Sequence, residues 1–281
     1  MLHFVIPFKS KEISKDWKRD SAICIRTIKG VLRQTSDNYT VTLACHQRPE
    51  GFERVGSHSK VRLIECPDLW VPPDPSYLNG LRSDKDHKLR IAMASLRDFG
   101  EGYIMPVDAD DAVHVQLAEF IANEARDVDL YYAEHGYIYD VSTGLLFKKQ
   151  GMHHRTGTSL VFRFTADDLP DDEKDKVNPE ILVLGRGHLS HKGVVNAALR
   201  NNDVRARQIP FPSVCYVVGT GVQIRGAGME TSRTFTDRVK SIFKATTRFW
   251  QVRYPGNKWR RKFGFDQDKS KVTNCNRSNN A

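Results

Sequence analysis

Three carboxylates within four positions, Asp108, Asp110 and Asp111, are the residues of this chain whose types and spacing most directly suggest chemistry. They follow a mostly apolar run over 102–107, which predicts a strand buried on both faces. Burying unpaired carboxylates is costly, and a hard divalent cation such as Mg²⁺ or Mn²⁺ relieves that cost by binding carboxylate oxygens. The alternative is a solvated loop that caps a helix, because Asp is favoured at helix N-caps.

The elements that must position these acids predict an α/β fold. Strand and helix patterns alternate ahead of the acids, with strands over 3–7, 39–45 and 61–66 and helices over 17–34 and from Ser83 onward. This order predicts a doubly wound, mostly parallel sheet, in which ligands bind outside the carboxyl ends of the strands. Pro106 is the local conflict, since proline lacks the ladder donor of a central strand.

Composition narrows the classes of function. The chain has 281 residues, an ordinary hydrophobic fraction of 40%, no apolar run of membrane-spanning length and no signal-like start, so a cytoplasmic location is expected. Its five cysteines are scattered without C-x-x-C spacing, which argues against a disulfide framework or a zinc site. The net charge of +9 predicts attraction to polyanions. Nucleic acid is not expected as a partner, because no helix-turn-helix or zinc spacing is present.

The C-terminal region differs from the rest in composition. Residues 230–265 carry an excess of Lys and Arg, interleaved with apolar residues that include Phe235, Val239, Ile242 and Trp250. This pattern predicts a basic amphipathic helical extension, which can lie on an anionic membrane surface or cover the domain core. The polar residues 266–281 predict a disordered tail.

The order of these motifs resembles the glycosyltransferases of the GT-A fold, and is most similar to family 2. The resemblance rests on a first strand ending in Ile6-Pro7-Phe8, a basic helix, and a strand ending in Val107-Asp108-Ala109-Asp110-Asp111. It implies a GT-A (Rossmann-like) mixed, mostly parallel sheet flanked by helices, with a nucleotide-sugar-binding and catalytic domain over 1–229. It also implies transfer of a sugar from a nucleotide-diphosphate donor (a UDP- or GDP-sugar) to a hydroxyl of a glycan or lipid-linked acceptor, with Mn²⁺ or Mg²⁺ as cofactor.

The resemblance implies roles for the acids and for the first loop. Asp108 would face the nucleotide ribose and the metal, Asp110 would bind the metal, and Asp111 would orient the metal's waters or the acceptor. On the donor side, the resemblance adds the residues around the two strand ends, namely Pro7, Phe8, Lys9 and Ala109.

The basic helix ahead of the acids supplies a further candidate. Lys88 matches a position where the family often places a basic residue against the donor, and Asp84, at i−4, could pair with it on the donor side. The alternative for Lys88 is an ordinary exposed helix charge. Lys85 is expected on the solvated face.

The acceptor side of the resemblance is incomplete. Inverting members usually carry a carboxylate general base well after the metal motif, but the corresponding stretch Gly187-His188-Leu189-Ser190-His191 contains no acid. His188 or His191 could act as the base, because the pKa of histidine lies near working pH. Glu134 is another candidate, a retaining enzyme would need no such base, and each histidine can equally be a polar residue at a helix start.

Three other functions stay open at this point. A sugar-phosphate nucleotidyltransferase would be expected to show a Gly-rich phosphate loop, which Pro7-Phe8-Lys9-Ser10-Lys11 lacks. The missing carboxylate base leaves room for an inactive relative, and the net charge of +9 leaves room for a basic polyanion-binding protein.

Overall fold

The computed structural model describes residues 1–68, 78–124, 127–170, 191–201, 203–220 and 252–265, without the side chains of 78–83, 191–192 and 252. The described strands are β1 (Leu2–Pro7), β2 (Tyr39–Cys45), β3 (Val61–Glu65), β4 (Glu101–Pro106), β5 (Ala112–Val113), β6 (Leu130–Tyr132), β7 (His135–Asp140), β8 (Leu145–Gln150), β9 (Leu160–Thr165), β10 (Ala206–Gln208), β11 (Val214–Val218) and β12 (Val252–Arg253). The described α-helices are α1 (Trp17–Val31), α2 (Glu53–Gly56), α3 (Leu78–Ala94), α4 (Leu117–Asn123), α5 (His191–Arg200) and α6 (Asn257–Lys262). None of these helices combines the length and the apolarity that spanning a membrane requires.

Seven of the described strands form a mixed sheet in the order β10-β6-β9-β4-β1-β2-β3. β3, β2, β1 and β4 are parallel to one another, while β9 runs antiparallel to both β4 and β6. Helices cover both faces, so the predicted α/β class with a mostly parallel sheet is confirmed.

The strand order places a switch point beside β1. The chain passes from β1 to β2 and β3 on one side, and then returns to β4 on the other side of β1. In open α/β sheets, the crevice between two strands whose connections diverge in this way is where ligands bind. A ligand site is therefore expected among the residues that follow β1 and β4.

The core explains why these segments form these elements. Side chains alternate across a strand, so Phe4 and Ile6 of β1 pack on one face of the sheet and Val5 packs on the other. The first face is covered by α1 and α4, and the second by α3 and α5. β1 is buried along its whole length, as expected for a central parallel strand.

Pro106 is accommodated at the end of β4. The amide of Val107 donates to the carbonyl of Val5, so alternate residues of β4 donate to β1 and the intervening ones face β9. The pairing of β4 with β9 ends at Ile104. Pro106 therefore lies two residues beyond the last residue of β4 that pairs with β9, and the amide donor that proline lacks is not part of the observed ladder.

A second sheet of five described strands has the order β12-β8-β7-β11-β5. The sequence places 214–218 as the last strand of the core, but this strand (β11) belongs to the second sheet. Of the predicted extension over 230–265, only 252–265 lies in the described part. There, Trp259 of α6 and Phe263, which directly follows α6, pack on the second sheet beside Leu146 and Cys215. The predicted tail over 266–281 lies outside the described residues.

Candidate active site

The loop after β4 carries the three acids and is fastened on both sides. Val107 bonds to β1 as described, and the amide of Asp108 donates to Oγ1 of Thr158 over 2.8 Å. A tight turn follows, in which the amide of Asp111 donates to the carbonyl of Asp108 over 3.0 Å. These bonds hold the acids at the carboxyl edge of the sheet, at the switch point between β1 and β4.

Asp110 is a buried carboxylate whose charge is only partly compensated. Its Oδ2 accepts a hydrogen bond from Oγ1 of Thr220 over 3.3 Å, and its main-chain carbonyl accepts one from Arg26 over 2.8 Å. Burial, followed by the charge of Asp108, raises the pKa of Asp110 to about 6, although Arg26 and Lys85 act in the opposite direction. A further cation beside Asp110 would therefore stabilise its ionised form.

Lys85 faces the acids. Its Nζ forms an ion pair with Oδ1 of Asp108, and the two side chains are 21% and 26% exposed. The prediction that Lys85 belongs to the solvated face is therefore wrong. The reason is that α3 lies over the carboxyl edge of the sheet, so one side of its polar face meets the acid loop instead of water.

Lys88 lies one turn further along α3 and is buried. Its Nζ is 2.7 Å from Oδ2 of Asp84, and the two side chains are only 1% and 4% exposed. The predicted pairing of Asp84 with Lys88 is confirmed, and the alternative of an exposed helix charge is wrong. Nδ1 of His46, just after β2, lies 3.7 Å from the other oxygen of Asp84. Burial lowers the pKa of Lys88, and the adjacent Asp84 opposes that shift. We interpret this cluster as an anchor of α3 on the sheet.

Asp111 joins the two sheets. Its side chain is fully buried, with Oδ2 accepting from Oγ1 of Thr156 over 2.5 Å and Oδ1 accepting from the amide of Val217 in β11 over 3.1 Å. Burial, together with Asp110 and Asp108, raises the pKa of Asp111 well above its ordinary range. In this position Asp111 holds the second sheet against the acid loop, which differs from the role that the resemblance implies, namely orienting the metal's waters or the acceptor.

The loop after β1 forms the other side of the switch point. Pro7 ends β1, the ring of Phe8 is buried against Trp17 with centroids 5.2 Å apart, and Nζ of Lys9 is 2.5 Å from Oδ2 of the buried Asp20. The side chains of Phe8 and Lys9 thus make contacts within the protein that hold the loop in its conformation. Contacts from this loop to a nucleotide would come mainly from its backbone.

Ala109, the remaining predicted donor residue, lies between Asp108 and Asp110 and is partly buried against the core. Its small side chain leaves the acid loop close to the sheet. It contributes shape to the site and no charge.

Glu134 lies at the same edge of the sheet as the acids. It follows β6, which runs in the direction of β4 with β9 between them, so the two strand ends are about 10 Å apart. Glu134 Oε1 accepts from the amide of Gly151 over 3.0 Å, and its Oε2 lies 3.3 Å from Nδ1 of His153. Its side chain is 28% exposed, so this carboxylate reaches solvent while its orientation is fixed.

The two candidate histidines are placed only in part. His188 lies outside the described residues. His191 is the first residue of α5, as expected for a helix start, and its side chain is not among those described. The helix it begins packs against the short 3-10 turn Met152–His154, which brings α5 beside the Glu134–His153 pair.

Several polar partners of the acids were not identified from the sequence. They lie far from the acids along the chain, and they are Arg26, Thr27, Thr156, Thr158, Val217 and Thr220. Single threonines and one helix arginine have no distinctive local pattern.

The donor set at this edge fits a divalent cation that shares its ligands with a substrate. Within the described ranges, no group of three or more His, Cys, Asp or Glu side chains is arranged to hold a metal. Asp108 and Asp110 offer two carboxylates, and the pKa of Asp110 is raised first by burial and second by the charge of Asp108. Mg²⁺ and Mn²⁺ sites that act on phosphates commonly use one or two carboxylates, with phosphate oxygens completing the shell.

Comparison with known proteins gives distant structural similarity. No protein-family model matches the chain, and no curated protein sequence matches it. S. aureus TarS in complex with UDP-GlcNAc is 10% identical, with a TM-score of 0.44 over 77% of this chain and 58% of that one. The galactosyltransferase LgtC in complex with donor and acceptor sugar analogues is 10% identical, with a TM-score of 0.38 over 85% of this chain and 99% of that one. A nucleotidyl transferase from Methanothermobacter is 18% identical, with a TM-score of 0.36 over 88% of this chain and 99% of that one.

The matching structures include glycosyltransferases and also a nucleotidyl transferase. This chain spans only 37% of the longer TarS structure. Because identities and TM-scores are low throughout, these similarities assign no function to this chain.

Proposed function

We propose that this protein is a metal-dependent glycosyltransferase that moves a sugar from a UDP- or GDP-sugar to a hydroxyl of a glycan or lipid-linked acceptor. The observation that supports this most is the placement of Asp108 and Asp110 at the β1/β4 switch point with incompletely compensated charge. That edge is where a nucleotide would bind, and a diphosphate is the group whose recognition needs a cation there.

The residues of the acid loop would hold and neutralise the leaving diphosphate. A divalent cation held by Asp108 and Asp110 would supply Lewis-acid stabilisation of the charge that develops on that group. Lys85 would supply a second positive charge at the same edge, since its ammonium already contacts Asp108. Arg26 would hold the backbone of Asp110 in place through its carbonyl.

Glu134 is our candidate for the general base, and so for an inverting reaction. Its carboxylate is partly exposed, is fixed by Gly151 and His153, and lies about two strand spacings from Asp108. The transferred sugar would lie between Asp108 and Glu134, with the diphosphate on the side of Asp108 and the acceptor hydroxyl on the side of Glu134. Glu134 would take the proton of that hydroxyl, and His153 would orient the carboxylate.

The experiment that tests this proposal is a thermal-shift panel of UDP- and GDP-sugars with and without Mn²⁺, followed by assay of UDP or GDP release. We expect one donor to raise the melting temperature only when Mn²⁺ is present, and to be hydrolysed slowly. Asp110→Asn should remove both effects, whereas Glu53→Gln, which changes an exposed acid on α2, should change neither.

Two results would contradict the proposal. One is a wild-type protein that responds to no donor in the panel, which would favour an inactive or polyanion-binding protein. The other is release of pyrophosphate from a nucleoside triphosphate in the presence of a sugar phosphate, which would identify a nucleotidyltransferase.

We also propose that the protein works at the cytoplasmic face of an anionic membrane when its acceptor is lipid-linked. The sequence expectation of a membrane-facing C-terminal region motivates this part of the proposal. Of that region, the structure describes residues 252–265.

A further inference from the structure

The short helix α6 has two chemically different sides. Trp259 and Phe263, four residues apart, are buried against the second sheet. Lys258, Arg261 and Lys262, at the i, i+3 and i+4 spacing of one helix face, are exposed. The apolar side of this basic helix is therefore already occupied by the protein, and its cationic side faces outward.

Two strands extend this cationic side. Arg253 of β12 lies directly opposite Leu146 of β8, and Lys148 is two residues further along β8. Because side chains alternate across a strand, Arg253 and Lys148 share the face of the sheet that Leu146 presents to α6. Both are exposed, at the margin of that face.

The surface formed in this way has a single sign of charge. The two segments that build it, 145–150 and 252–265, contain Lys and Arg but no Asp or Glu. We call it the basic face and define it by its exposed cations, which are Lys148, Arg253, Lys258, Arg261 and Lys262.

Tyr254 stands beside the basic face and is 81% exposed, the most exposed of the large hydrophobic side chains in the described part of the chain. A tyrosine with a free ring and hydroxyl next to Lys and Arg suits the headgroup region of a bilayer, where amphipathic aromatic residues are enriched.

The orientation of the second sheet connects this surface with the candidate active site. β12, like β7 and β11, runs opposite to β8, so Tyr254 leaves the sheet at the end where β11 leads into Thr220. Thr220 donates to Asp110. Three strand spacings separate β12 from β11, which is about 14 Å.

We propose that the basic face and Tyr254 dock the protein on an anionic lipid bilayer, with the acid edge of the first sheet presented to acceptors held in that bilayer. The docking by α6 is through headgroup charge, because Trp259 and Phe263 are packed inside the protein and leave no apolar side of α6 to insert. The part of this proposal that concerns acceptors rests on the proposed function, whereas the docking on the bilayer does not.

The test is sedimentation of the full chain with phosphatidylcholine vesicles that contain or lack phosphatidylglycerol, at low and at high salt. We expect binding only to the phosphatidylglycerol vesicles, and loss of that binding at high salt. The variant Arg253→Glu/Lys258→Glu/Arg261→Glu should bind at least about 100-fold more weakly, since each cation near an anionic surface strengthens binding about fivefold. Tyr254→Ser should weaken binding by a few-fold.

A matched control reverses three exposed cations elsewhere, in the variant Lys15→Glu/Lys18→Glu/Arg54→Glu, and should bind as the wild type does. Circular dichroism and the Mn²⁺-dependent donor shift of both triple variants report whether the fold and the donor site are intact. An intact donor shift without vesicle binding separates failure of docking from failure of the proposed function.

Three outcomes would overturn the docking proposal. They are equal binding of both triple variants, binding that high salt does not weaken, and binding to soluble polyphosphate through the basic face without binding to vesicles. The second outcome would indicate apolar insertion, and the third would indicate a soluble polyanion as the partner.

Discussion

The two sheets of this protein use charge in opposite ways. At the carboxyl edge of the first sheet, ionisable side chains are taken out of water, as Asp84, Lys88, Asp110 and Asp111 show. On the second sheet, the interior is aromatic, with Trp259 packed among Tyr137, Tyr139 and Phe263, and the cations lie outside. Buried charge costs stability unless it is well paired, whereas exposed charge costs little and acts at long range.

The aromatic interior of the second sheet should give the largest stability effect. Trp259→Ala removes a side chain that contacts both the sheet and Phe265, and we expect a loss of about 3–5 kcal/mol in the free energy of unfolding. Urea denaturation measures this loss. Tyr254→Ala, at an exposed aromatic five residues earlier, should change it by less than about 0.5 kcal/mol. Equal effects of the two variants would contradict the packing described for α6.

The buried ion pair of the first sheet should come next. Lys88→Met leaves the carboxylate of Asp84 buried without its 2.7 Å partner, and the expected loss is about 3–4 kcal/mol. Replacing both partners, as Asp84→Leu/Lys88→Met, should recover much of that loss. Urea midpoints of the single and double variants decide this point. A fully stable Lys88→Met protein would show that the pair does not anchor α3.

The variant Asp110→Asn should show that a buried acid of the site lowers the free energy of unfolding. Its pKa is raised from 3.8 to about 6 in the folded protein, so the folded state binds more protons than the unfolded state between those values. The free energy of unfolding contributed by this group therefore falls as pH rises from about 4 to about 6. Asp110→Asn should remove this fall and stabilise the protein by on the order of 2 kcal/mol at neutral pH. Thermal or urea midpoints against pH test this, and a less stable variant would oppose it.

Lys85 should show the smallest stability effect of the set. Its ion pair with Asp108 is partly exposed, so Lys85→Met should cost no more than about 1 kcal/mol. Its effect on donor affinity should be larger, because it removes a cation from the proposed diphosphate position. Comparing Lys85→Met with Lys85→Arg in donor titrations separates charge from shape. Unchanged donor affinity in Lys85→Met would exclude Lys85 from the site.

The first sheet was largely predictable from the sequence because its signals are local. The apolar runs of β1, β2 and β4, the helix spacing of α1 and the i, i+4 pairing of Asp84 with Lys88 all lie within single elements. The placement of Asp108 and Asp110 at the switch point follows from strand order alone. The side of α3 on which Lys85 lies could not be predicted from the sequence, because it depends on how the helix crosses the edge of the sheet.

The second sheet and the partners of the acids were less predictable because their contacts are non-local. Val217 bonds to Asp111 and Thr220 bonds to Asp110, although the members of each pair are more than a hundred positions apart along the chain. No sequence pattern near Val217 or Thr220 indicates these contacts. The buried role of Asp111 follows from those contacts. Glu134 was named as a candidate, but its pairing with His153 depends on a turn that brings 151–154 back to the end of β6.

The most direct test of the account is a calorimetric titration of UDP and GDP into the protein with and without Mn²⁺. We expect one of the two nucleotides to bind at least about tenfold more tightly with Mn²⁺, a coupling of about 1.4 kcal/mol, and we expect Asp110→Asn to abolish this coupling while the variant stays folded. Binding that is equally tight without Mn²⁺, or a coupling that survives in Asp110→Asn, would contradict the assignment of the acid edge as a metal and diphosphate site.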